Sequence, residues 1–487
     1  MSHRFNRRHF HHLAMGSLAA GSALAAASSS AEETTGDAPA KETAASAVPP
    51  FAVDFTQPGK AVKPVNGSNF WANVSERRIV DTFPLVQALH FSTIRLHDIP
   101  LVNAGMRLVD THMIFGNFKA DASDPDSYYF EQTDDYLQAI IDGGSKIVYR
   151  LGTSIEHTTP KNYFAKEPKD HLQFARICDG IIRHYNEGWA NGFHHDIQYW
   201  EIWNEPDLVP NMWDSADPNV YCRFYATVAK YLKERHPNVK IGGPALMSLN
   251  EHFLRALLTA CKDAGAPLDF FSWHSYARTP EQLLDPPVRG RQLLDEAGFT
   301  QTELHLNEWH YFPCKWSEIH GTEGGEERKI YWRESPEGLN GIDAAAFCGY
   351  VLTRWQDTPL DMGNYYSTTS VNWGLLHGSK RVPYYTFQLF GEMMQTQPVR
   401  VKTSDQKYVS LLGTIDKDGK KQIFASNWKQ NVVNLEIQLA GVPESGEVTV
   451  VRLDREKRLE ETKLAYTNST LKIQNQPGSW VLSIRWA

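Results

Sequence analysis

Two glutamates stand at the ends of predicted strands, where carboxyl groups from distant parts of a chain can meet. Glu205 belongs to the segment Tyr199–Pro206 (YWEIWNEP), and Glu308 belongs to the segment Leu304–Trp309 (LHLNEW). Cleavage of an acetal needs a carboxylic acid that protonates the departing oxygen and a carboxylate that acts at the anomeric carbon. One such glutamate alone is most simply a surface or ion-paired side chain. Two of them at strand ends favour glycoside hydrolysis, with Glu205 and Glu308 as the catalytic pair.

A third glutamate, Glu201, lies four residues before Glu205 and therefore on the same face of its strand. Its side chain would be deep inside the fold, where an unpaired charge is very unfavourable. We therefore expect Glu201 to pair with a basic strand residue such as Arg95 or Arg150.

The fold class follows from the segment between Phe51 and about Gln397, which alternates short β-branched or aromatic runs with amphipathic stretches of period near 3.6. Eight such units favour an α/β fold of the (β/α)8 TIM-barrel type over a doubly wound sheet, whose glycine-rich phosphate loop the sequence lacks. The C-terminal ends of barrel strands meet at one mouth, so Glu205 and Glu308 would face each other there. The predicted strands are Val65–Phe70, Ser92–Leu96, Lys146–Leu151, Ile197–Trp203, Val239–Gly243, Leu268–Trp273, Glu303–Asn307 and Gly363–Tyr366.

A second domain is predicted at the C-terminal end of the chain. After about Val399 the apolar pattern changes to period two, and Asp418 followed by Gly419 is typical of a hairpin turn. We expect a catalytic barrel over residues 50–397 and a β-sandwich over residues 398–487.

The first 49 residues have a different character from the rest of the chain. Arg7 and Arg8 precede an apolar, alanine-rich run from Leu13 to Ala27, the pattern of a bacterial twin-arginine export signal over residues 1–30. Residues 31–49 contain no aromatic residue and are expected to form a disordered linker. Removal of the leader's three arginines would lower the net charge from −8 to −11. These features predict a periplasmic or extracellular protein.

Composition and motifs exclude several other classes of function. Lys and Arg number 49 against 57 Asp and Glu, and no long basic run occurs, so nucleic acid is not an expected partner. The five cysteines have no CxxC spacing, no HExxH motif occurs, and His194 and His195 precede their strand at the wrong end of a barrel, so neither a metal nor a cofactor is predicted. No stretch approaches the ~20 apolar residues of a membrane span. The pattern indicates no particular oligomeric state.

The motifs around the two glutamates resemble those of a known group of enzymes. Ile202–Pro206 (IWNEP) is similar to the acid/base signature of the retaining clan A glycoside hydrolases, and Asn307–Trp309 (NEW) is similar to their nucleophile strand. Among them the chain most resembles glycoside hydrolase family 39, the β-xylosidase and α-L-iduronidase family. Thr93–His97 (TIRLH), Asp269–Tyr276 (DFFSWHSY) and the trailing β-sandwich support this resemblance, which covers roughly residues 50–487.

The resemblance implies a retaining mechanism with a covalent glycosyl-enzyme intermediate, in which Glu205 is the general acid/base and Glu308 the nucleophile. The implied substrate-binding residues are Asn204 at the sugar 2-hydroxyl, His274 and Tyr276 on the nucleophile side, and Trp373 as the floor of the −1 subsite.

Two further strand residues, Arg95 and His97, could act on the nucleophile or on the substrate. A glycosyl ester forms from an ionised carboxylate, which Arg95 or the Tyr276 hydroxyl could orient and stabilise. His97, like His274, is either a hydrogen-bonded core residue or a substrate contact.

Because the chain departs from the family pattern at two places, its motifs do not identify the sugar of the substrate. A bulky Trp273 stands on predicted strand six, and the segment from residue 310 to 338 is long and charged; both are expected to shape the substrate pocket. An exo-acting, β-xylosidase-like enzyme on an oligo- or polysaccharide is the leading hypothesis. The alternatives are an α-L-iduronidase- or arabinosidase-like enzyme and a non-catalytic carbohydrate-binding barrel. The basic residues that an iduronidase-like site would need are Lys315, Arg328 and Lys329, although Glu326–Lys329 is most simply a solvated loop.

Overall fold

The computed structural model describes residues 50–72, 82–96, 108–155, 165–370, 372 and 374–486. The predicted export signal, the predicted linker, His97 and Trp373 lie outside the described residues. Among the residues that are described, no helix combines the length and the apolarity needed to cross a membrane.

The strands form a closed parallel barrel, a large second sheet and a small hairpin. In chain order they are β1 (Phe51–Ala61), β2 (Gly67–Asn69), β3 (Thr93–Arg95), β4 (Lys146–Leu151), β5 (Tyr199–Ile202), β6 (Lys240–Leu246), β7 (Phe270–Ala277), β8 (Glu303–Tyr311), β9 (Met362–Tyr365), β10 (Leu376–His377), β11 (Ser379–Lys380), β12 (Val399–Thr403), β13 (Val409–Ile415), β14 (Lys421–Asn427), β15 (Asn434–Ala440), β16 (Gly446–Leu453), β17 (Arg458–Tyr466), β18 (Thr470–Gln474) and β19 (Trp480–Trp486). Strands β2 to β9 pair in sequence order, and β9 returns to pair with β2. The predicted TIM barrel is confirmed, and each of its eight predicted strands overlaps an observed one.

The helices lie between the strands. They are α1 (Phe83–Gln87), α2 (Thr111–Ile114), α3 (Glu131–Asp142), α4 (His171–Glu187), α5 (Pro218–Arg235), α6 (Glu251–Ala264), α7 (Glu281–Glu296), α8 (Trp316–His320), α9 (Gly325–Glu334), α10 (Ile342–Arg354) and α11 (Val382–Met394). Helix α5 illustrates how the sequence sets their limits. The Asp217 carboxylate accepts a hydrogen bond from the Asn219 N–H at 3.0 Å, and Pro218 supplies the first helical residue.

The second sheet has nine strands in the order β17-β16-β19-β14-β13-β12-β1-β15-β18. Its two outermost strands contact each other, so the sheet folds over and encloses a core of its own. The period-two pattern of β19 buries Trp480, Leu482 and Ile484 in that core. The second, β-rich domain predicted from the C-terminal pattern is therefore confirmed.

The position of β1 corrects the predicted domain limits. This strand precedes the barrel in the chain, yet it pairs antiparallel with β12 and parallel with β15 in the second sheet. Phe51, Val53 and Phe55 are buried, whereas Ala52 and Thr56 are exposed. Such alternation fits a sheet with one covered face, while a strand of a parallel barrel is covered on both faces. The barrel therefore begins after Ala61, and residues 51–61 belong with the C-terminal half of the chain.

Helix α10 joins the two domains. Its residues from Ile342 to Thr353 are all buried, because the barrel covers one side of the helix and the second sheet covers the other. The Ser426 hydroxyl on β14 donates to the carbonyl of Ala346 at 2.7 Å, and the rings of Phe390 and Phe424 pack edge to face at 5.5 Å. The second sheet therefore supports one side of the barrel through apolar packing.

The charged run Glu326–Lys329 is helical, so the prediction of a loop was wrong. It lies in α9, none of whose residues is buried. Acidic residues in the first turn and Arg333 in the last turn suit the helix dipole, and Arg333 also pairs with Glu326 at 2.9 Å. Solvated charges at helical spacing can therefore stabilise a helix that has no buried face.

Candidate active site

Glu205 lies on the turn that follows β5, at the mouth of the barrel. The backbone is in the left-handed region at Trp203 (φ 76°) and at Glu205 itself (φ 42°), a conformation that non-glycine residues adopt only when their surroundings hold them there. The Glu205 N–H donates to the carbonyl of Ala245 on β6 at 2.9 Å, and the Trp203 indole N–H donates to the carbonyl of Met212 at 2.8 Å. These contacts keep the Glu205 side chain half-buried and directed across the mouth.

Glu308 lies within β8, three residues before the end of that strand. The pairing of β7 with β8 shifts by one residue there, so that Trp273 is opposite Leu306 and His274 is opposite Glu308. A shift of this kind is a β-bulge, which re-aims side chains and is common beside active sites. As a result, Asn307 and Glu308 both make contacts inside the barrel, although they are adjacent in sequence.

The carboxyl groups of Glu205 and Glu308 meet on either side of His274. The imidazole Nδ1 of His274 is 2.7 Å from Oε1 of Glu205, with which it shares a hydrogen bond, and 3.5 Å from Oε2 of Glu308. One carboxyl oxygen of Glu205 and one of Glu308 lie within 4.8 Å of each other. The two glutamates predicted from distant parts of the chain therefore face each other across a short gap.

Arg95 connects the nucleophile candidate to the interior of the barrel. Its Nη1 donates to Oε1 of Glu308 at 3.1 Å, its Nη2 donates to Oδ1 of Asn204 at 2.7 Å, and its Nε donates to Oε2 of Glu201 at 2.7 Å. The Arg95 and Glu201 side chains are fully buried. The prediction that Glu201 pairs with a basic strand residue is confirmed for Arg95, while Arg150 pairs with Asp110 at 2.7 Å.

The rest of the Glu201 carboxylate is also occupied. The Ser272 hydroxyl donates to its Oε1 at 2.7 Å, and the Asn307 side-chain amide donates to the same oxygen. A buried ion pair is tolerated when hydrogen bonds satisfy its remaining polar atoms. This network fixes Arg95, and Arg95 in turn fixes the orientation of Glu308.

Burial sets the protonation of the groups between the two carboxylates. Burial lowers the pKa of His274 to about 4, even though the nearby Glu308 raises it, so the imidazole is neutral at neutral pH. Burial, reinforced by the Glu308 carboxylate, raises the pKa of Tyr276 well above its usual value. The Tyr276 hydroxyl therefore keeps its proton and donates it in a 2.7 Å hydrogen bond to Oε2 of Glu308.

Opposing effects act on Glu308 itself. Burial raises its pKa, and His274, Arg95 and the Tyr276 hydroxyl all act in the opposite direction. The charge of Glu205 raises it further. Burial outweighs the other effects, so the pKa of Glu308 is raised overall, while two strong donors, Arg95 and Tyr276, still stabilise its ionised form.

Of the residues predicted to surround the pair, Arg95, Asn204, His274 and Tyr276 come together as described, whereas His97 and Trp373 lie outside the described residues. Trp273 does not line the pocket, contrary to expectation. It is 1% exposed and stacks on Phe271, on the strand face opposite to His274.

Sequence reasoning missed two residues at the mouth. Asn69 ends β2, accepts from Nη1 of Arg95 at 3.3 Å, and donates to the carbonyl of Asn307 at 2.9 Å. Tyr366 follows β9, and its ring centroid lies 6.3 Å from that of Tyr276. Both residues stand at the C-terminal ends of barrel strands, so their position along the chain was the signal that could have found them.

The same three side chains are also arranged to hold a cation. Glu205, His274 and Glu308 each present one ligand atom, and these atoms lie within 4.8 Å of one another. The guanidinium of Arg95, however, is already 3.1 Å from Glu308 and would repel a second positive charge. The arrangement therefore suits proton transfer and nucleophilic attack better than metal binding.

Comparison with known proteins agrees with this geometry. Residues 72–284 match the family model described as glycosyl hydrolases family 39. The resemblance to family 39 is confirmed. The family 39 match includes Glu205 and Asn204 but ends before Glu308, whose place in the site rests on the structure.

The individual proteins that this chain resembles are distant from it in sequence. A β-xylosidase of Geobacillus stearothermophilus is 25% identical over 175 residues, which are 32% of this chain and 34% of the relative, so the match spans about a third of that protein's length. A glucosidase from Croceicoccus marinus superposes with a TM-score of 0.73 at 20% identity, covering 90% of this chain and 98% of the other. A monomeric β-xylosidase from Caulobacter crescentus superposes with a TM-score of 0.65 at 15% identity, covering 89% and 99%. At these identities the two structures establish the shared fold.

Proposed function

We propose that the protein is a retaining glycoside hydrolase that removes β-linked xylose from the non-reducing end of an oligo- or polysaccharide. The observation that carries the retaining mechanism is the separation of the two carboxyl groups, with one oxygen of each within 4.8 Å of the other. Retaining enzymes hold their carboxyl groups about 5–5.5 Å apart, whereas inverting enzymes leave about 6.5–9.5 Å for a water molecule.

In the first step, Glu308 attacks the anomeric carbon and forms an ester with it. The bond from that carbon to the departing oxygen breaks, and Glu205 transfers its proton to that oxygen. Arg95 and the Tyr276 hydroxyl hold the attacking carboxylate in place by donating to its two oxygens, and the carboxylate loses its negative charge as the ester forms. The Asn204 amide lies beside the same guanidinium and is assigned to the sugar 2-hydroxyl.

In the second step, Glu205 acts as a base. It takes a proton from water as the water oxygen attacks the anomeric carbon, and the ester to Glu308 breaks to return a carboxylate. Two inversions at the same carbon leave the product with the configuration of the substrate. His274, neutral and 2.7 Å from Glu205, holds the acid/base through both steps.

The β-xylosidase name of the relative from Geobacillus stearothermophilus supports xylosides as the substrate class. The iduronidase-like alternative would need a cation aimed at the sugar carboxylate. Its three candidate basic residues are instead paired with helix and loop acids, Lys315 with Glu323, Arg328 with Glu318 and Lys329 with Glu326. These contacts favour an uncharged sugar.

A panel of aryl glycosides tests the proposal, with β-D-xylosides, α-L-arabinofuranosides, β-D-glucosides and α-L-iduronides as members. We expect turnover of the β-D-xyloside, with the β-anomer of xylose as the first product seen by proton NMR. Appearance of the α-anomer first would contradict the retaining mechanism, and preference for another sugar would contradict the substrate. Turnover of no member would favour the carbohydrate-binding alternative.

Two variants assign the roles of the glutamates, and a third serves as the control. Glu308→Gln is expected to abolish turnover of every active substrate, while Glu205→Gln should affect poor leaving groups far more than activated ones. Glu327→Gln, an exposed site on α9, is the matched control and should behave as wild type. Equal activity in all of these proteins would refute the assignment.

We also propose that the protein is exported, on the strength of Arg7, Arg8 and the apolar run that follows them. The test is cell fractionation of a bacterial host that makes the full chain. Replacement of both arginines by lysine should retain the protein in the cytoplasm. Equal export of the two forms would contradict a twin-arginine signal.

A further inference from the structure

Asp207 lies two residues after Glu205, on the same turn, and has no part in the mechanism above. Its carboxylate accepts a hydrogen bond from the Met247 N–H at 3.0 Å, directly after β6. The Glu205 N–H donates to Ala245 on β6 at 2.9 Å. The turn that carries Glu205 is therefore fastened to the end of β6 at two points, one on each side of Pro206.

The Asp207 side chain is also a second acidic group beside the acid/base. Burial raises the pKa of Asp207 to about 7, with the nearby Glu205 adding to the effect and the Met247 N–H opposing it. A carboxyl group in this position gains its charge near neutral pH, where an ordinary surface aspartate is already ionised. The titratable groups near Glu205 also include His274 and Tyr276 on β7 and Glu308 on β8.

We propose that Asp207 is a positioning residue for Glu205: its carboxyl group clamps the turn that carries the acid/base to the end of β6. This role rests on the proposed function. A turn held at two points keeps the Glu205 carboxyl group within reach of the departing oxygen, where a displacement of about 1 Å can cost about a hundredfold in rate.

Two substitutions separate the clamp from the charge. Asp207→Asn keeps a side-chain oxygen that can accept from the Met247 N–H but removes the negative charge. Asp207→Ala removes both. The matched control is Asp214→Asn, which makes the same charge change at an exposed position between β5 and α5.

The measurement is the pH profile of kcat/KM on an activated aryl β-xyloside. For Asp207→Asn we expect a plateau close to wild type, because its side-chain oxygen still accepts from the Met247 N–H. For Asp207→Ala we expect a plateau about tenfold lower, because the turn is no longer held. Asp214→Asn should leave the profile unchanged. An Asp207→Ala plateau equal to that of Asp207→Asn would overturn the clamp.

A second measurement does not depend on turnover. Because the pKa of Asp207 is raised in the folded protein, the folded state binds more protons than the unfolded state between about pH 4 and 7, and Tm should fall as pH rises through that window. Asp207→Asn should flatten this decline, whereas Asp214→Asn should not. At any fixed pH in that window, Asp207→Ala should melt below Asp207→Asn if the Met247 contact holds the turn. The proposal would be overturned if wild type and Asp207→Asn gave parallel curves of Tm against pH and if Asp207→Asn and Asp207→Ala had equal Tm, even if no glycoside were hydrolysed. Absence of turnover in the wild type alone would overturn only the proposed function.

Discussion

Replacing Glu201 by glutamine should destabilise the barrel strongly although the side chain touches no substrate. Glu201 is fully buried and accepts hydrogen bonds from Nε of Arg95, from the Ser272 hydroxyl and from the Asn307 amide. Glutamine has nearly the same shape, but it removes a negative charge and replaces one acceptor oxygen by a donor N–H₂ group. That donor group would face another donor, whichever way the amide turned.

The magnitude follows from what the change leaves behind. Arg95 would keep only Glu308 as a counter-ion, and at least one of the three donors to Glu201 would lose its acceptor. Breaking a buried ion pair on one side typically costs about 3–5 kcal/mol, because the remaining charge stays buried. We therefore expect Glu201→Gln to lower the free energy of unfolding by about that amount.

Glu308→Gln offers the sharpest comparison, because Glu308 is the other carboxylate that pairs with Arg95. Burial and the charge of Glu205 both disfavour its ionised form, so its loss should change the free energy of unfolding by less than about 1 kcal/mol, or raise it. Glu308→Gln should thus keep its stability and lose turnover, whereas Glu201→Gln should lose stability.

Urea denaturation followed by tryptophan fluorescence measures both variants, since Trp200 and Trp309 lie on the barrel strands concerned. Glu436→Gln is the control, because Glu436 forms an exposed pair with Lys472 at 3.2 Å and should contribute less than about 1 kcal/mol. A Glu201→Gln protein as stable as this control would refute the argument that the buried network supports Arg95.

Three further outcomes are expected. Tyr276→Phe removes the hydrogen-bond donor that lies 2.7 Å from Glu308, and this loss should raise the pKa of the Glu308 carboxyl group. The acid limb of kcat/KM should therefore move to higher pH, and kcat should fall about tenfold or more; an unmoved acid limb would contradict this role. Overnight treatment with EDTA should leave activity within twofold, because Arg95 occupies the place of a cation beside Glu308; activity lost on chelation and restored by a divalent metal would contradict it. Phe424→Ala, in the contact with Phe390 beneath α10, should cost about 3–5 kcal/mol by urea denaturation; a loss below about 1 kcal/mol would mean that the second sheet hardly supports the barrel.

The fold and the meeting of Glu205 with Glu308 at the barrel mouth could be predicted because both depend on strong local signals. Buried parallel strands are short apolar runs, and polar residues at their C-terminal ends mark the mouth of a barrel. The partner of Glu201 could also be anticipated, since a buried charge requires an opposite one and Arg95 stood on another predicted barrel strand. The sequence alone could not supply the bulge at Asn307, which depends on how β7 and β8 pair.

The errors have identifiable physical causes. Trp273 was assigned to the pocket because of its size. It directly precedes His274, however, and adjacent residues of a strand point to opposite faces. The run Glu326–Lys329 was assigned to a loop because of its charge, although the charges lie at spacings that suit a helix. Asp207 was overlooked because its contact with Met247 joins two separate turns, and no local pattern reveals such a contact.

The placement of β1 ties the two ends of the protein together during biosynthesis. Strand Phe51–Ala61 is made before any part of the barrel, but its neighbours β12 and β15 are made only after the barrel is complete. The nascent chain must therefore carry Phe51, Val53 and Phe55 uncovered until β12 and β15, in about the last fifth of the sequence, have left the ribosome. Truncation of the protein after residue 398 would leave the apolar face of β1 permanently exposed to solvent. A minimal barrel would therefore have to start beyond Ala61 to avoid aggregation.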